Sequence, residues 1–179
     1  MRRFFSVGAL AVGAAVLVLV AIQSPRARAE DESQIRHGFA SVPAGIELNL
    51  RGKNRGQVGL GAYLVNTIGD CNGCHSKEFN PYLDGGNPYA GEEEKIDPDR
   101  YLVGGSEFFP GATSRNLRPE NGLPAGLTLS QFVDAMRNGT DHSNPGQLLD
   151  VMPWPSFSKM TDHDIVAIYE YLSCLPPKP

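Results

Sequence analysis

Residues 71–75 read Cys-Asn-Gly-Cys-His. On a single helical turn, positions 71, 74 and 75 project from one side, so two thiols and an imidazole share a face. At that spacing each thiol can add to a vinyl group of haem while the imidazole approaches the iron from the same side. Cys-x-x-Cys-His is the attachment pattern for this chemistry. Cys71 and Cys74 are therefore candidate covalent anchors, and His75 is the candidate proximal iron ligand. Three other chemistries use the same residue types. A dithiol redox pair belongs beside a βαβ pattern, and none is visible. A structural zinc ion needs four ligands. Cys174 and a further histidine would have to complete such a site, with no second paired motif to help. A Cys71–Cys74 disulfide would leave His75 without a role. With Cys174 the chain has three cysteines, an odd number that a simple disulfide framework does not use.

An iron atom held by one histidine has a sixth position to fill, and methionine is a known partner there. Beyond the leader the chain has Met136, Met152 and Met160. Met136 shares a helical stripe with Phe132 and Val133, where core packing explains it. Met160 precedes the helix cap at Thr161 and can pack on Ile165 as a staple. Met152 lies in the non-helical stretch VMPWP, braced by Pro153 and Pro155, and is the candidate sixth ligand. His142, in a polar loop, is its rival. His37 and His163 are weaker candidates.

These groups need elements to position them. Arg2 and Arg3, the apolar run Phe4–Ile22 and the small-x-small sequence Ala27-Arg28-Ala29 read as an export leader over residues 1–29. An uncleaved membrane anchor is the alternative, because the apolar run approaches the roughly 18 residues that span a bilayer. Both readings place the domain outside the cytoplasmic membrane. Of 16 basic and 20 acidic side chains, the leader holds four arginines and no acid, so the remainder carries a formal charge of −8. That excludes a nucleic-acid binder of the ordinary basic kind. The acidic run Glu92–Glu94 with Lys95 reads as a solvated turn, with docking of a basic partner as the functional alternative.

Residues 30–55 read as an extended lead-in and 56–179 as the functional domain. Helices are expected over 57–68, 129–138 and 162–174. The second starts with a Thr128/Gln131 capping box and ends at Gly139. The third is capped by Thr161 and stopped by Pro176 and Pro177. Residues 76–127 form a long Gly- and Pro-rich connection with one short strand expected at Tyr101–Val103. Its six aromatics imply an apolar body beneath it. Three helices bury little area alone, and a large apolar cofactor would complete the core.

The segments GAYLVNTIGDCNGCHS, YLVGG, TSRNLRPENGL, LTLSQFVDAMRNGTD and VMPWPSFSKMTDHDIVAIYEYL together resemble class I cytochromes c. More narrowly, they resemble the single-haem units in the cytochrome c subunits of bacterial membrane-bound alcohol and aldehyde dehydrogenases. The resemblance covers most of residues 56–175. It implies an all-α cytochrome c fold around one covalent haem c, with the first and last helices crossing where Gly59 or Gly61 allows close approach. It also implies single-electron transfer in the periplasm between partner proteins: a dehydrogenase donor and an oxidase or another cytochrome as acceptor. Those subunits carry three haem units, whereas this chain has a single Cys-x-x-Cys-His, and Cys174 stands where another residue is expected. Arg115 and Arg118 are candidate partners of the haem propionates, whose carboxylates suit guanidinium forks. Asn116 and Trp154 are candidate donors to a propionate or to the ligand sulfur. The rival of an electron carrier is a haem enzyme or gas sensor with an open sixth position. A haem subunit inside a larger dehydrogenase is the second rival.

Overall fold

A computed structural model of the chain describes residues 25–178. The leader expected over 1–29 lies, through residue 24, outside the described residues. Helices dominate: α1 (Pro25–Ala40), α2 (Arg55–Tyr63), α3 (Cys71–His75), α4 (Leu129–Asn138), α5 (Trp154–Phe157) and α6 (Asp162–Cys174). Among the described residues none is long and apolar enough to cross a membrane.

The crossing of α2 with α6 organises the core. Val58, Val65, Ile165, Tyr171 and Leu172 are all but fully buried there. A methyl group on Gly61 would overlap the backbone carbonyl of Ala167 and lie 2.7 Å from Tyr171 Cβ. Backbone contact at that spacing leaves room only for glycine. Gly59 serves a second crossing: a Cβ there would lie 2.6 Å from Ile35 and 2.8 Å from Phe39 of α1. The two glycines thus face different helices. Of the two glycines offered for the crossing of the first and last expected helices, Gly61 makes it, against Ala167 and Tyr171.

Both later helices begin and end as the caps predict. Thr128 accepts from the Gln131 N–H, and Gly139 closes α4 in the left-handed conformation. Thr161 Oγ1 accepts from Asp164 N–H at 3.1 Å, and Asp164 Oδ2 accepts from Thr161 N–H at 3.3 Å. The first expected helix differs. It is α-helical only to Tyr63 and continues as a π-turn over Leu64–Ile68, where Gly69 N–H reaches back to Leu64 O at 2.8 Å.

The lead-in is not extended throughout. Residues up to Ala40 form α1, and only the following stretch is non-helical until α2 begins. Leu48 and Leu50 from that stretch pack on the core, and Asn49 N–H donates to Cys174 O at 2.8 Å.

The fold is also not purely helical. Two antiparallel ladders occupy the long connection: β1 (Glu107–Phe109) with β2 (Ala112–Thr113), and β3 (Pro119–Glu120) with β4 (Leu123–Pro124). The strand expected at Tyr101–Val103 is instead a turn, with Leu102 at φ 56° and Gly104 at φ 66°. Of the six aromatics in the connection, Tyr101 is buried at 1% exposure while Tyr89 is 89% exposed. Phe79 and Phe108 pack edge to face with centroids 4.9 Å apart.

Candidate functional site

Helix α3 is one turn long, and such a turn has little stability of its own. Its neighbours hold it. Asn72 is 7% exposed, and its Oδ1 accepts from Leu102 N–H at 2.9 Å. At the C-terminal end, His75 O accepts from Gly104 N–H at 2.7 Å, and Ser76 O accepts from Ser106 Oγ at 2.8 Å. Those carbonyls would otherwise be orphaned at the helix end. Residues 102–106 thus clamp α3 along its length. Asn72 and Ser106 were not singled out from the sequence. A mid-motif Asn inside an attachment turn is the one sequence signal that could have pointed to the clamp.

The same segment aligns the chain that meets the imidazole. Leu117 N–H donates to Leu102 O at 2.9 Å, and Gly105 N–H donates to Ser114 O at 2.9 Å. Between these bonds, the Arg115 carbonyl oxygen lies 2.7 Å from His75 Nδ1. A carbonyl only accepts, so Nδ1 carries the proton and Nε2 keeps its lone pair. Gly104 makes this approach possible: a Cβ there would overlap the Arg115 carbonyl carbon and Asn116 N.

Burial holds the His75 imidazole below its ordinary pKa. The bond to Arg115 O opposes this, and the Arg115 charge adds to it. Burial also pushes the Cys71 thiol up to about 12, with the Asp70 carboxylate next in weight. Cys71 is half-buried against the core, and Cys74 is exposed. An imidazole whose Nδ1 is committed to a carbonyl and whose Nε2 is free is the state that iron ligation requires, and two free thiols stand on the same turn. The residues present on this turn therefore fit covalent haem.

The other candidates fall in different places. Met152 is half-buried and packs on the core. Its carbonyl accepts from Trp154 N–H at 2.7 Å, which closes the turn that presents it. Its rival His142 lies with Nε2 3.1 Å from Asp134 Oδ2. His37 is exposed, and the His163 side chain is 65% exposed. Arg115 is half-buried, with Nη1 3.3 Å from Ala125 O. Trp154 opens α5, and its indole covers Gly139 closely enough that a Cβ there would overlap the ring.

Two residues are engaged otherwise than expected. Arg118 is 2% exposed and donates to the carbonyls of Tyr101, at 2.7 Å from Nε, and Pro98. Asn116 Nδ2 donates to Glu120 Oε1 at 2.8 Å, and its Oδ1 accepts from Arg118 N–H at 3.0 Å. Both side chains tie the long connection together with the donors that propionates would have used.

Cys174 is fully buried at the end of α6, and all three cysteines are free. Among the described residues, no group of three or more His, Cys, Asp and Glu side chains is arranged to hold a metal ion. The four-ligand zinc alternative therefore finds no support in the packing.

A helical domain carrying this attachment turn has relatives of known class. The cytochrome c subunit of quinone alcohol dehydrogenase from Gluconacetobacter polyoxogenes is 32% identical over 112 residues, covering 62% of this chain and 20% of that protein. The gluconate 2-dehydrogenase cytochrome c subunit of Pantoea cypripedii is 30% identical over 119 residues, 66% of this chain and 23% of that protein. The quinone alcohol dehydrogenase cytochrome c subunit of Gluconobacter oxydans is 29% identical over 111 residues, 62% of this chain and 20% of that protein. No protein-family model matches the chain, and no solved structure gives a significant match. The chain resembles the cytochrome c subunits of bacterial dehydrogenases, and it spans about a fifth of the length of these curated relatives.

Proposed function

We infer that this chain is a periplasmic c-type cytochrome that carries single electrons through one haem c. Cys71 and Cys74 attach the haem, and His75 and Met152 ligate its iron. The single observation that carries the reading is the His75 imidazole, on the same turn as both thiols, with Nδ1 committed to Arg115 O and Nε2 left for iron. Similarity to dehydrogenase cytochrome c subunits supports the same class. The haem supplies a reversible one-electron couple. The chain's part is to orient the ligands, exclude water from one side and hold protons where they do not follow the electron. Asn72, Gly104 and Ser106 fix the turn, and the Arg115 carbonyl sets the imidazole plane. Met152 is preferred to His142 because it packs on the core from a proline-braced turn, whereas His142 Nε2 sits beside the Asp134 carboxylate at 3.1 Å. No acid–base pair or nucleophile is needed, so the chain is not itself an enzyme.

Intact mass and peroxidase staining of the periplasmically matured chain test the attachment. The expected result is one haem retained under denaturing conditions, lost when both Cys71 and Cys74 are replaced by Ser. A matured chain without bound haem contradicts the reading.

A second reading makes the chain the haem subunit of a membrane-associated dehydrogenase complex. It is favoured by the names of the relatives, each of them the cytochrome c subunit of a dehydrogenase. In that setting the donor is the dehydrogenase's catalytic subunit, and the acceptor is an oxidase or another cytochrome. The leader, retained as an anchor, would add membrane association.

A further inference from the structure

On α3, position 73 falls opposite Cys71, Cys74 and His75, and position 72 falls on the flank between the two sides. Asn72 and Gly73 line a cleft of about 1140 Å³ that none of those three residues, nor Met152, touches. Its outer wall is the loop over residues 81–97. That loop is closed on itself by Leu83 N–H to Lys95 O at 2.9 Å, Lys95 N–H to Gly86 O at 3.0 Å and Asp97 N–H to Pro81 O at 2.8 Å. Inside it, Asn87 Oδ1 accepts from Tyr89 N–H at 3.0 Å, and Glu92 Oε2 accepts from Asn87 N–H at 2.8 Å. The wall is therefore pre-organised, and a ligand would pay little to order it.

Part of the lining is large, apolar and exposed. Phe79 is 46% exposed, Leu83 45% and Tyr89 89%, and all three line this cleft. Clustered large apolar side chains left in water mark an interaction site more often than scattered ones do. The rim is acidic. Asp70 and Glu94 line the cleft, with Lys95 as the lining cation, and Asp84 and Glu93 adjoin Leu83 and Glu94. Among the described residues, none of these four carboxylates forms an ion pair. Exposed apolar side chains beside an unneutralised acidic rim complement a chain of opposite charge that brings its own apolar side chain.

We propose that this cleft docks an extended segment of a partner protein carrying lysines or arginines around an apolar or aromatic residue. Docking there leaves the Cys74 side of α3 uncovered. The proposal rests on the cleft alone and stands whether or not the ligation at Met152 is as inferred.

The test is a titration of the matured, isotope-labelled chain with the peptide acetyl-(Lys-Leu)4-amide, followed residue by residue by amide NMR shifts at physiological salt. Acetyl-(Glu-Leu)4-amide and hexalysine serve as comparison probes. The expected shifts are confined to the cleft and its wall, residues 40–44, 66–73 and 79–101, the acidic peptide gives none, and hexalysine binds about tenfold more weakly for lack of the apolar contact. The Glu93→Lys/Glu94→Lys variant is expected to weaken binding about tenfold, and Leu83→Ser/Tyr89→Ala by a similar factor. All four side chains are exposed, so the variants retain the fold. The proposal is overturned by shifts centred elsewhere, by equal binding of the acidic peptide or of hexalysine, or by unchanged affinity in either variant.

Discussion

His75 Nδ1 lies 2.7 Å from the carbonyl oxygen of Arg115, forty residues along the chain. The bond is to backbone, so it survives any change of the Arg115 side chain that leaves the segment between Ser114 and Leu117 in place. Arg115→Ala is expected to leave the His75 ring signals in the paramagnetic NMR spectrum unchanged. Gly104→Ala is expected to displace the Arg115 carbonyl, shift those signals and cost about 2 kcal/mol or more, since residue 104 has positive φ and no room for a methyl group. Equal spectra for wild type and Gly104→Ala would break the link between residue 104 and the imidazole.

Asn72 gives the attachment turn a buried tether to Leu102. Asn72→Ala leaves the Leu102 N–H buried without a partner, which costs about 1–3 kcal/mol. Denaturant unfolding of the matured chain reads that loss directly. A change below a few tenths of a kcal/mol would mean that the tether contributes nothing in solution.

Gly61→Ala forces a methyl group into the Ala167 carbonyl at the α2–α6 crossing. The expected cost is about 1–3 kcal/mol or more, because backbone cannot yield as a side chain tip can. The methyl of Gly59→Ala meets the Ile35 and Phe39 side chains first and the Ile35 carbonyl only at 3.0 Å, so its cost is expected to be smaller. Urea midpoints of the two variants settle the order, and a reversed ranking would contradict the assignment of the two glycines to separate helices.

The hydroxyls of Tyr101 and Tyr171 lie 2.6 Å apart, Tyr101 donates to Asn66 Oδ1 at 2.5 Å, and Asn66 Nδ2 lies 3.4 Å from Tyr171 Oη. If Tyr101 donates to Asn66, then Tyr171 donates to Tyr101 and the amide closes the ring. Burial raises both phenol pKa values, so both stay neutral. Tyr101→Phe and Tyr171→Phe are each expected to cost about 1–2 kcal/mol, and the double variant less than their sum. Strict additivity in the double-mutant cycle would show that the three groups do not act as one unit.

Legibility in the sequence followed locality. α4 and α6 were readable because their caps and apolar stripes lie within a few residues of each other. That Cys71, Cys74 and His75 share one helical turn was readable because their spacing matches its period. Residues 25–40 carry few apolar residues, so nothing local announced α1; its packing on α2 depends on Gly59 across the crossing. The π-turn that places Asn66 reflects tertiary packing against Tyr101 and Tyr171 rather than any propensity of LVNTI. Arg118 read as a surface cation able to meet a propionate, yet the fold spends it on the Tyr101 and Pro98 carbonyls, a choice that depends on a turn the sequence presented as a strand.

The central claim is that His75 and Met152 together close the iron, and the visible spectrum of the reduced, matured chain with and without carbon monoxide tests it most directly. Wild type is expected to be unaffected by the gas, while Met152→Ala binds it and shifts its Soret band. A wild-type spectrum that changes readily with carbon monoxide would contradict the account and make an open-site haem enzyme or gas sensor the better reading.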